Sequence, residues 1–495
     1  NDITFPDVKI FKREELMPAL SLIGNMPYSS KKMRDDIRMI RSYYGSRGYA
    51  DASVIPEVRE LEGSKVDILY RITTGTRKRV GLVNIEGNTK SQERVIRREV
   101  PMQPGEFYNS VDLETTKRRL QNLGYFGDVQ VSGAASSQDG YRDVNILVQE
   151  QRTGTINFGL GFSSIDRILG RINLEQSNFD ITNWGRFTGA GQRFSVNLQA
   201  GSTRTDFRVS LVEPWFLGQK LSLGTDLYYR DLIFLSPEYD QKNVGASVFL
   251  RKPVGRRSYV KGEYRIETVE IEAESDTTQA FKDEENEYLR SALSLNYVYD
   301  SRDSNQLPRR GHKVDLGLIY TGGLLAGDVD TITFTGSGTK HWSLPFDTIL
   351  TARGSFAVVD SHGDNDRIPI FERQFLGGAR DLRGFDFRDV GPRDDTGPNP
   401  TQEVLGGATS VFGSLELTFP VIGQVRGAVF YDAGFVNSDS WDFNSGRLAS
   451  DVGVGVRLNL PGIGPLAVDF AVPVETPDEQ ADDGSQIQFY MDYQF

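Results

Sequence analysis

The stretch Phe375-Leu-Gly-Gly-Ala-Arg-Asp-Leu-Arg-Gly-Phe385 decides how the rest of the chain is interpreted. It lies in a run from about residue 361 to 402 that is rich in Asp, Gly, Pro and Arg and has no strand or helix periodicity. Loops longer than roughly 12–15 residues are usually functional or disordered. This one carries an apolar set that a solvated tail would lack, namely Phe371, Phe375, Leu376, Leu382, Phe385 and Phe387. We therefore expect an ordered loop that buries these side chains.

The segments on both sides of this loop alternate with the period of β-strands. We count about sixteen, starting near residues 154, 168, 190, 204, 219, 241, 257, 286, 311, 328, 346, 403, 424, 449, 464 and 485. The last segment alternates most clearly, with the apolar set Ile487, Phe489, Met491, Tyr493 and Phe495. Apolar-out, polar-in alternation is typical of outer-membrane barrels. Residues 152–495 are therefore predicted to form a membrane β-barrel of about 16 antiparallel strands, with the loop directed into its lumen.

Composition excludes several other classes of protein. No apolar run among the 495 residues approaches the roughly 18 that a membrane helix needs. The formal charge of −12 argues against nucleic acid as a partner. The absence of cysteine and three dispersed histidines argue against a metal site, so we expect no cofactor. The chain begins at Asn1 without an apolar leader, which predicts a processed or truncated N-terminus.

Residues 1–76 and 77–151 form two repeats with the pattern β-α-α-β-β. The dipeptide Gly48-Tyr49 recurs as Gly124-Tyr125, and Tyr28 recurs as Tyr108, which gives a period of about 76 to 80 residues. Each repeat is predicted to be a small α+β domain with three strands and two helices on one face. Such a domain is either a spacer or, through its open sheet edges, a binding site for an extended strand.

Strand parity predicts partners for the arginine of the loop. Leu415, Leu417 and Phe419 share the outward face of one strand, so Glu416 points into the lumen. In the next strand Asp432 also points inward, although Phe430 breaks the alternation there. If the loop folds back, Arg383 reaches both carboxylates, to which a guanidinium binds with bidentate geometry.

The residues around Arg383 are suited to close packing. Gly384 allows close approach of the backbone or a positive φ, and Phe385 is expected to pack on the inner wall.

The sequence resembles a known family over nearly its whole length. Its repeats look like polypeptide-transport-associated (POTRA) domains, in which Gly-Tyr-Phe ends the second helix, as in Gly124-Tyr125-Phe126. Its loop looks like the Val-Arg-Gly-Phe motif of the BamA family of outer-membrane protein assembly factors, and only Leu382 departs from that motif. Further matches are Gly377-Gly378, Glu213-Pro-Trp-Phe216, Asp303 through Gly311, Ser414-Leu-Glu416 and Tyr431-Asp-Ala-Gly434. In that family the loop arginine contacts acids at the positions of Glu416 and Asp432.

The resemblance implies assembly and insertion of β-barrel proteins into the bacterial outer membrane, without catalysis. The repeats would lie in the periplasm and handle unfolded barrel clients, accessory lipoproteins and chaperones. Clients would pair at a lateral seam between the first strand, with Ile156 and Phe158, and the last strand. Gly159 and Gly161 weaken the first strand, because glycine loses entropy there and packs nothing.

Three alternatives remain open at this point. A two-partner-type polypeptide secretion pore of the same superfamily has two POTRA domains and a similar loop arginine, but usually begins with a plug helix. A passive porin explains the strands but leaves residues 1–151 without a purpose. An enzyme embedded in the barrel needs a nucleophile, a base and an orienting group, and we recognise no such motif.

Overall fold

The computed structural model describes residues 3–6, 10–11, 13–22, 26–63, 65–163, 167–305, 307–363, 367–394, 403–460, 464–477 and 484–491. The chain divides into two compact units. The first consists of Asn1–Gly154 with Ser177–Gln192, and the second of Thr155–Gln176 with Arg193–Phe495. Within the described residues, no helix combines the length and the apolar character needed to cross a bilayer.

Both repeats have the predicted order of elements. The first contains β1 (Ile3–Thr4), α1 (Arg13–Leu16), α2 (Ser30–Gly45), β2 (Ser53–Leu61) and β3 (Lys65–Thr73). The second contains β4 (Arg79–Glu86), α3 (Glu93–Arg97), α4 (Ser110–Asn122), β5 (Phe126–Ala135) and β6 (Tyr141–Glu150). The sheets run β1-β3-β2 and β4-β6-β5, so the third strand of each repeat lies in the middle. The β-α-α-β-β pattern is confirmed.

The long helix of each repeat begins and ends at residues that the sequence pattern marks. The side chain of Ser29 accepts a hydrogen bond from the backbone of Lys32, and that of Asn109 accepts one from Val111. Just beyond the two helices, Gly48 and Gly124 have φ values of 97° and 70°. Only glycine adopts this left-handed conformation without strain, which explains why the Gly-Tyr dipeptide recurs.

Sixteen strands close into a barrel in the second part of the chain. The first eight are β7 (Gly154–Ser163), β8 (Arg167–Phe179), β9 (Gln192–Gly201), β10 (Arg204–Glu213), β11 (Ser222–Leu232), β12 (Tyr239–Pro253), β13 (Ser258–Ala273) and β14 (Asn286–Asp300). The others are β15 (Gly311–Thr321), β16 (Thr331–Ser343), β17 (Ile349–Ser361), β18 (Thr409–Ile422), β19 (Val425–Asn437), β20 (Ala449–Leu460), β21 (Gly464–Glu475) and β22 (Gln486–Met491). A short helix, α5 (Gln279–Lys282), lies between β13 and β14. The predicted strand number is confirmed.

One strand start differs clearly from its prediction. The twelfth barrel strand, β18, starts at Thr409 and not near residue 403. The residues before it continue the irregular loop, where Val404 bridges to Arg393 and Gly407 bridges to Gln374. The backbone of Val404 and Gly407 therefore pairs with the loop, and pairing with the barrel wall begins at Ala408, which bonds to Val359 and Asn437.

The two faces of the barrel strands differ as the alternation predicts. On β18, Leu415 is 53% exposed on the outside, whereas Glu416 is 7% exposed on the inside. Two outward glycines lie opposite aromatic residues on the neighbouring strand. The rings of Phe356 and Phe419 occupy the space beside Gly336 and Gly427, their cross-strand partners. These rings keep the outer apolar surface continuous where a glycine has no side chain.

The connection between β8 and β9 packs within the same compact unit as the repeats. The backbone N–H of Gln92 donates to the carbonyl of Gly189 at 2.8 Å. The side chain of Asn178 donates to the hydroxyl of Ser91 at 2.9 Å, and both residues are 3% exposed. These bonds fix the turn before α3 against this connection, which the sequence pattern does not predict.

Candidate functional site

The irregular loop between β17 and β18 folds back on the inner wall of the barrel, and we call it the strap. Its described residues are 362–363, 367–394 and 403–408. At its tip Leu376 bridges to Val390, and Gly377 and Gly378 have φ values of 112° and 107°. A Cβ atom on Gly377 would overlap the carbonyl oxygen of Asp386. Both glycines are therefore needed for the turn that presents Arg383.

Arg383 is 1% exposed and lies among carboxylates of three different strands. Its Nε and Nη2 atoms donate to the two oxygens of Asp432 at 2.7 and 2.9 Å, a bidentate pair. Its Nη1 donates to Glu416 at 2.6 Å and more distantly to Asp469 at 3.4 Å. We call Arg383 with Asp432 and Glu416 the clasp. The structure thus brings Arg383 into contact with Glu416 and Asp432, the two partners predicted from strand parity and from the family resemblance.

Phe430, which breaks the alternation of β19, is part of this site. Its side chain is 4% exposed, and its ring centroid lies 3.3 Å from the guanidinium carbon of Arg383. The cation therefore has a ring face on one side and carboxylates around its edge. The cross-strand partner of Phe430 is Gly453, where an added Cβ would overlap the ring. Phe430 thus departs from the strand alternation because its ring packs on the guanidinium of Arg383.

A second buried arginine extends the charge network. Arg457 donates to Glu416 at 2.7 Å and to Asp469 at 2.5 Å, and it is 4% exposed. Gly455 has no side chain because a Cβ there would overlap the carboxylate of Asp469. Sequence reasoning missed Arg457 and Asp469. The signal was present, because both are charged residues on the inward face of alternating strands.

Both oxygens of Asp451 are buried and make no hydrogen bond of ordinary geometry among the described residues, although the backbone of Gly384 and the carboxyl of Asp432 lie beside them. It is the direct cross-strand partner of Asp432. A Cβ built on Gly384 would lie 2.5 Å from the Cβ of Asp451. Gly384 is therefore needed for close approach of the strap, and its φ is not positive. A buried carboxylate beside a second one is costly.

The remaining residues of the loop motif form an apolar anchor. Leu382 is fully buried and Phe385 is 2% exposed. Both belong to a cluster that joins the strap to the barrel wall, formed by Leu376, Leu382, Phe385, Val390, Phe412, Val436 and Ala449. This cluster buries part of the apolar set that the sequence places in the loop.

The strap has a second anchor on a different part of the wall. Glu372 of the strap pairs with Arg290 on β14, and Arg290 also donates to Glu267 on β13 at 2.9 Å. The hydroxyl of Tyr228 on β11 donates to the same Glu267 at 2.9 Å. Nearby, Arg373 pairs with Glu284 at 2.6 Å. The second anchor thus uses an acid and a base of the strap, Glu372 and Arg373, whereas the clasp uses the base Arg383.

The predicted seam residues that the structure describes lie on β7 and β22, the strands that close the barrel. In the described residues β7 and β22 pair through Ser163 and Tyr490. Ile156, Phe158 and Ile487 are exposed on the outer face at 60%, 77% and 68%. Phe489 is half-buried, and Met491 is the last residue of β22. The predicted seam residues Tyr493 and Phe495 lie outside the described residues.

No close contact among the described residues requires glycine at Gly159 or Gly161 of the first strand. Their φ angles are not positive, and a Cβ on Gly159 or Gly161 would come no closer than 3.9 Å to any described atom.

No group of three or more His, Cys, Asp or Glu side chains is arranged to hold a metal ion in the part of the chain that the structure describes. The arrangement is instead suited to holding a loop against a barrel wall by buried ion pairs.

The chain has a sixteen-strand barrel with an inward strap, preceded by two β-α-α-β-β repeats. This architecture defines a class of barrel proteins, and sequence comparison shows to which family the chain belongs. The model of the Omp85 superfamily domain matches residues 186–495. A POTRA model, described as a surface antigen variable number repeat, matches residues 1–75 and 78–151. The chain belongs to the Omp85 superfamily.

Individual relatives agree with this family. The outer membrane protein assembly factor BamA of Nitratidesulfovibrio vulgaris is 26% identical over 94% of the chain and 58% of its own length. BamA of Neisseria meningitidis is 24% identical over 98% of the chain and 65% of its own length. The chain thus spans about three fifths of the length of these curated relatives.

Solved structures show the same fold. The crystal structure of BamA from Haemophilus ducreyi lacking POTRA domains 1–3 matches with a TM-score of 0.84 at 23% identity, covering 99% of this chain and 98% of that one. CdiB from Acinetobacter baumannii matches with a TM-score of 0.54 at 14% identity, covering 99% and 89%.

Proposed function

We propose that this protein assembles β-barrel proteins and inserts them into the bacterial outer membrane. The observation that carries the proposal is the buried clasp, in which Arg383 of an inward strap binds Asp432 and Glu416. The clasp argues against a passive porin but is shared in kind by the secretion pore, so the choice of assembly over secretion rests on the relatives. The outer membrane assembly factors among the relatives support the same reading.

In this proposal the chain has three working parts. Residues 1–76 and 77–151 are POTRA-like domains in the periplasm, and residues 152–495 form the barrel in the outer membrane. The edge strands β2 and β5 present unpaired backbone groups that suit capture of an extended client segment. Accessory lipoproteins and periplasmic chaperones are further partners that we propose on the basis of the family.

The proposed mechanism uses the seam between β7 and β22 as a template. A client strand pairs with a free edge there, and its lipid-facing side chains enter the bilayer as its backbone groups become hydrogen-bonded. Gly159 and Gly161 support this step, because the structure shows no packing reason for glycine at either position. Burial of apolar surface and new backbone hydrogen bonds would drive insertion, and no cofactor is required.

Depletion of the protein in its Gram-negative host tests the proposal against its competitors. We expect many unrelated barrel proteins to disappear together from the outer membrane, as measured by quantitative proteomics of isolated membranes. Loss of a single secreted polypeptide would instead support the secretion pore. Loss of small-solute uptake with normal levels of all other barrels would support a porin.

A further inference from the structure

The final strand of the barrel contacts the strap through its inward side chains. Gln488 on β22 is 4% exposed, and its Nε2 donates to the carbonyl oxygen of Phe385 at 3.3 Å. Phe385 lies two residues after Arg383 in the strap. The hydrogen bond therefore joins the backbone of the docked strap tip to a strand at the seam.

A second contact from the same face of β22 reaches Asp469, which lies in the charge network beside the clasp. The hydroxyl of Tyr490 donates to Oδ2 of Asp469 at 3.4 Å, and the same oxygen receives Nη1 of Arg383. Tyr490 is also the residue that pairs with Ser163 across the seam. One residue of the final strand thus contacts the first strand with its backbone and the charge network with its side chain.

We propose that Gln488 is a positioning residue that couples docking of the strap to the order of the final strand. When Arg383 occupies the clasp, the carbonyl of Phe385 and the carboxylate of Asp469 hold the inner face of β22. When the strap leaves, β22 loses the bond from Gln488 to Phe385, keeps the bond from Tyr490 to Asp469 of β21, and exchanges its pairing with β7 more readily. The effect of this coupling on client entry rests on the proposed function. The inference adds that Gln488 regulates the seam.

Amide hydrogen exchange of the full chain in lipid nanodiscs measures the order of β22 directly, without any client. Gln488→Met keeps the length of the side chain and removes its donor. We expect the peptide that contains Gln486–Met491 to exchange on the order of fivefold faster, the factor that loss of one ordinary hydrogen bond produces. Gln486→Met is the matched control, because Gln486 lies on the same face and makes no hydrogen bond to the strap within the described residues.

A double-mutant cycle separates coupling from a general loss of stability. In an Arg383→Ala background, where the strap is undocked, Gln488→Met is expected to add nothing to the exchange of β22. Equal effects of Gln488→Met in both backgrounds, or no effect in either, would overturn the proposal. Gln488→Leu, which is shorter and also lacks a donor, repeats the test if Gln488→Met fails to fold.

Client folding, followed in the same nanodiscs, distinguishes this inference from the proposed function. If Gln488→Met and Arg383→Ala show the expected coupling in hydrogen exchange, the positioning role is supported whatever happens to clients. If coupling is present but the chain accelerates the folding of no barrel client, it is the proposed function that is wrong.

Discussion

Replacing Arg383 by alanine is the most direct test of the clasp. Among the described residues Arg383 is the cation that pairs with Asp432, whereas Glu416 keeps its bond to Arg457. The variant therefore leaves one carboxylate buried without a counter-ion. Breaking a buried ion pair from one side costs about 3–5 kcal/mol. At about 1.4 kcal/mol per tenfold change, the ratio of docked to undocked strap should fall by roughly two to nearly four orders of magnitude.

Thiol labelling measures this change, since the chain contains no natural cysteine. Ala379 on the strap is 5% exposed, so Ala379→Cys provides one buried thiol that a maleimide reaches only after undocking. In the Arg383→Ala background the labelling rate should rise by the same factor as the undocked population. Arg383→Lys should give an intermediate rate, because one ammonium cannot reproduce the bidentate pair with Asp432 and also bind Glu416.

Two comparisons make this prediction refutable. Arg380→Ala is the matched control, because Arg380 lies on the same strap with an exposed side chain and should leave the rate unchanged. Adding Asp432→Asn to Arg383→Ala should slow labelling again, since it removes the orphaned charge. If Arg383→Ala labels no faster than the parent, or no faster than Arg380→Ala, the clasp does not hold the strap.

Three further predictions concern other parts of the chain. Asp451→Asn replaces a buried carboxyl group beside Asp432 by an amide that can donate to it, so it should stabilise the docked strap by about 1–2 kcal/mol. Faster labelling of the strap thiol in that variant would contradict this. Gly391→Cys with Val436→Cys should form a disulfide on mild oxidation, because a Cβ on Gly391 lies 3.8 Å from that of Val436. Absence of the gel-mobility shift that reduction reverses would mean that the strap lies elsewhere. Burial raises the pKa of Glu150, but hydrogen bonds from Ser91, Thr89 and Lys90 outweigh it and hold the pKa below its ordinary value. The stability that this carboxylate adds is present above its unfolded-state pKa and is lost as pH falls through the lower folded-state pKa. Glu150→Gln should therefore destabilise the turn after β4 by about 1 kcal/mol at pH 7, with allowance for solvent screening, and by much less near pH 3, as measured by hydrogen exchange of that turn.

The sequence by itself determined the strand number, the faces of the strands and the order of elements in each repeat. These features follow from local periodicity, because side chains of a strand alternate and a left-handed glycine ends a helix wherever it occurs. The same parity pointed Glu416 and Asp432 inward, and the loop composition pointed to burial. For this reason the main components of the clasp were visible before any coordinates.

The tertiary structure alone decided which inward residues meet. Arg457, Asp469 and Phe430 lie on separate strands, and their distances from the strap depend on the register and curvature of a closed sheet. The second anchor at Arg290 and the contact between Gln488 and Phe385 depend on the same closure. Local periodicity contains no information on how far a forty-residue irregular loop folds back, so these contacts follow only from the packed barrel.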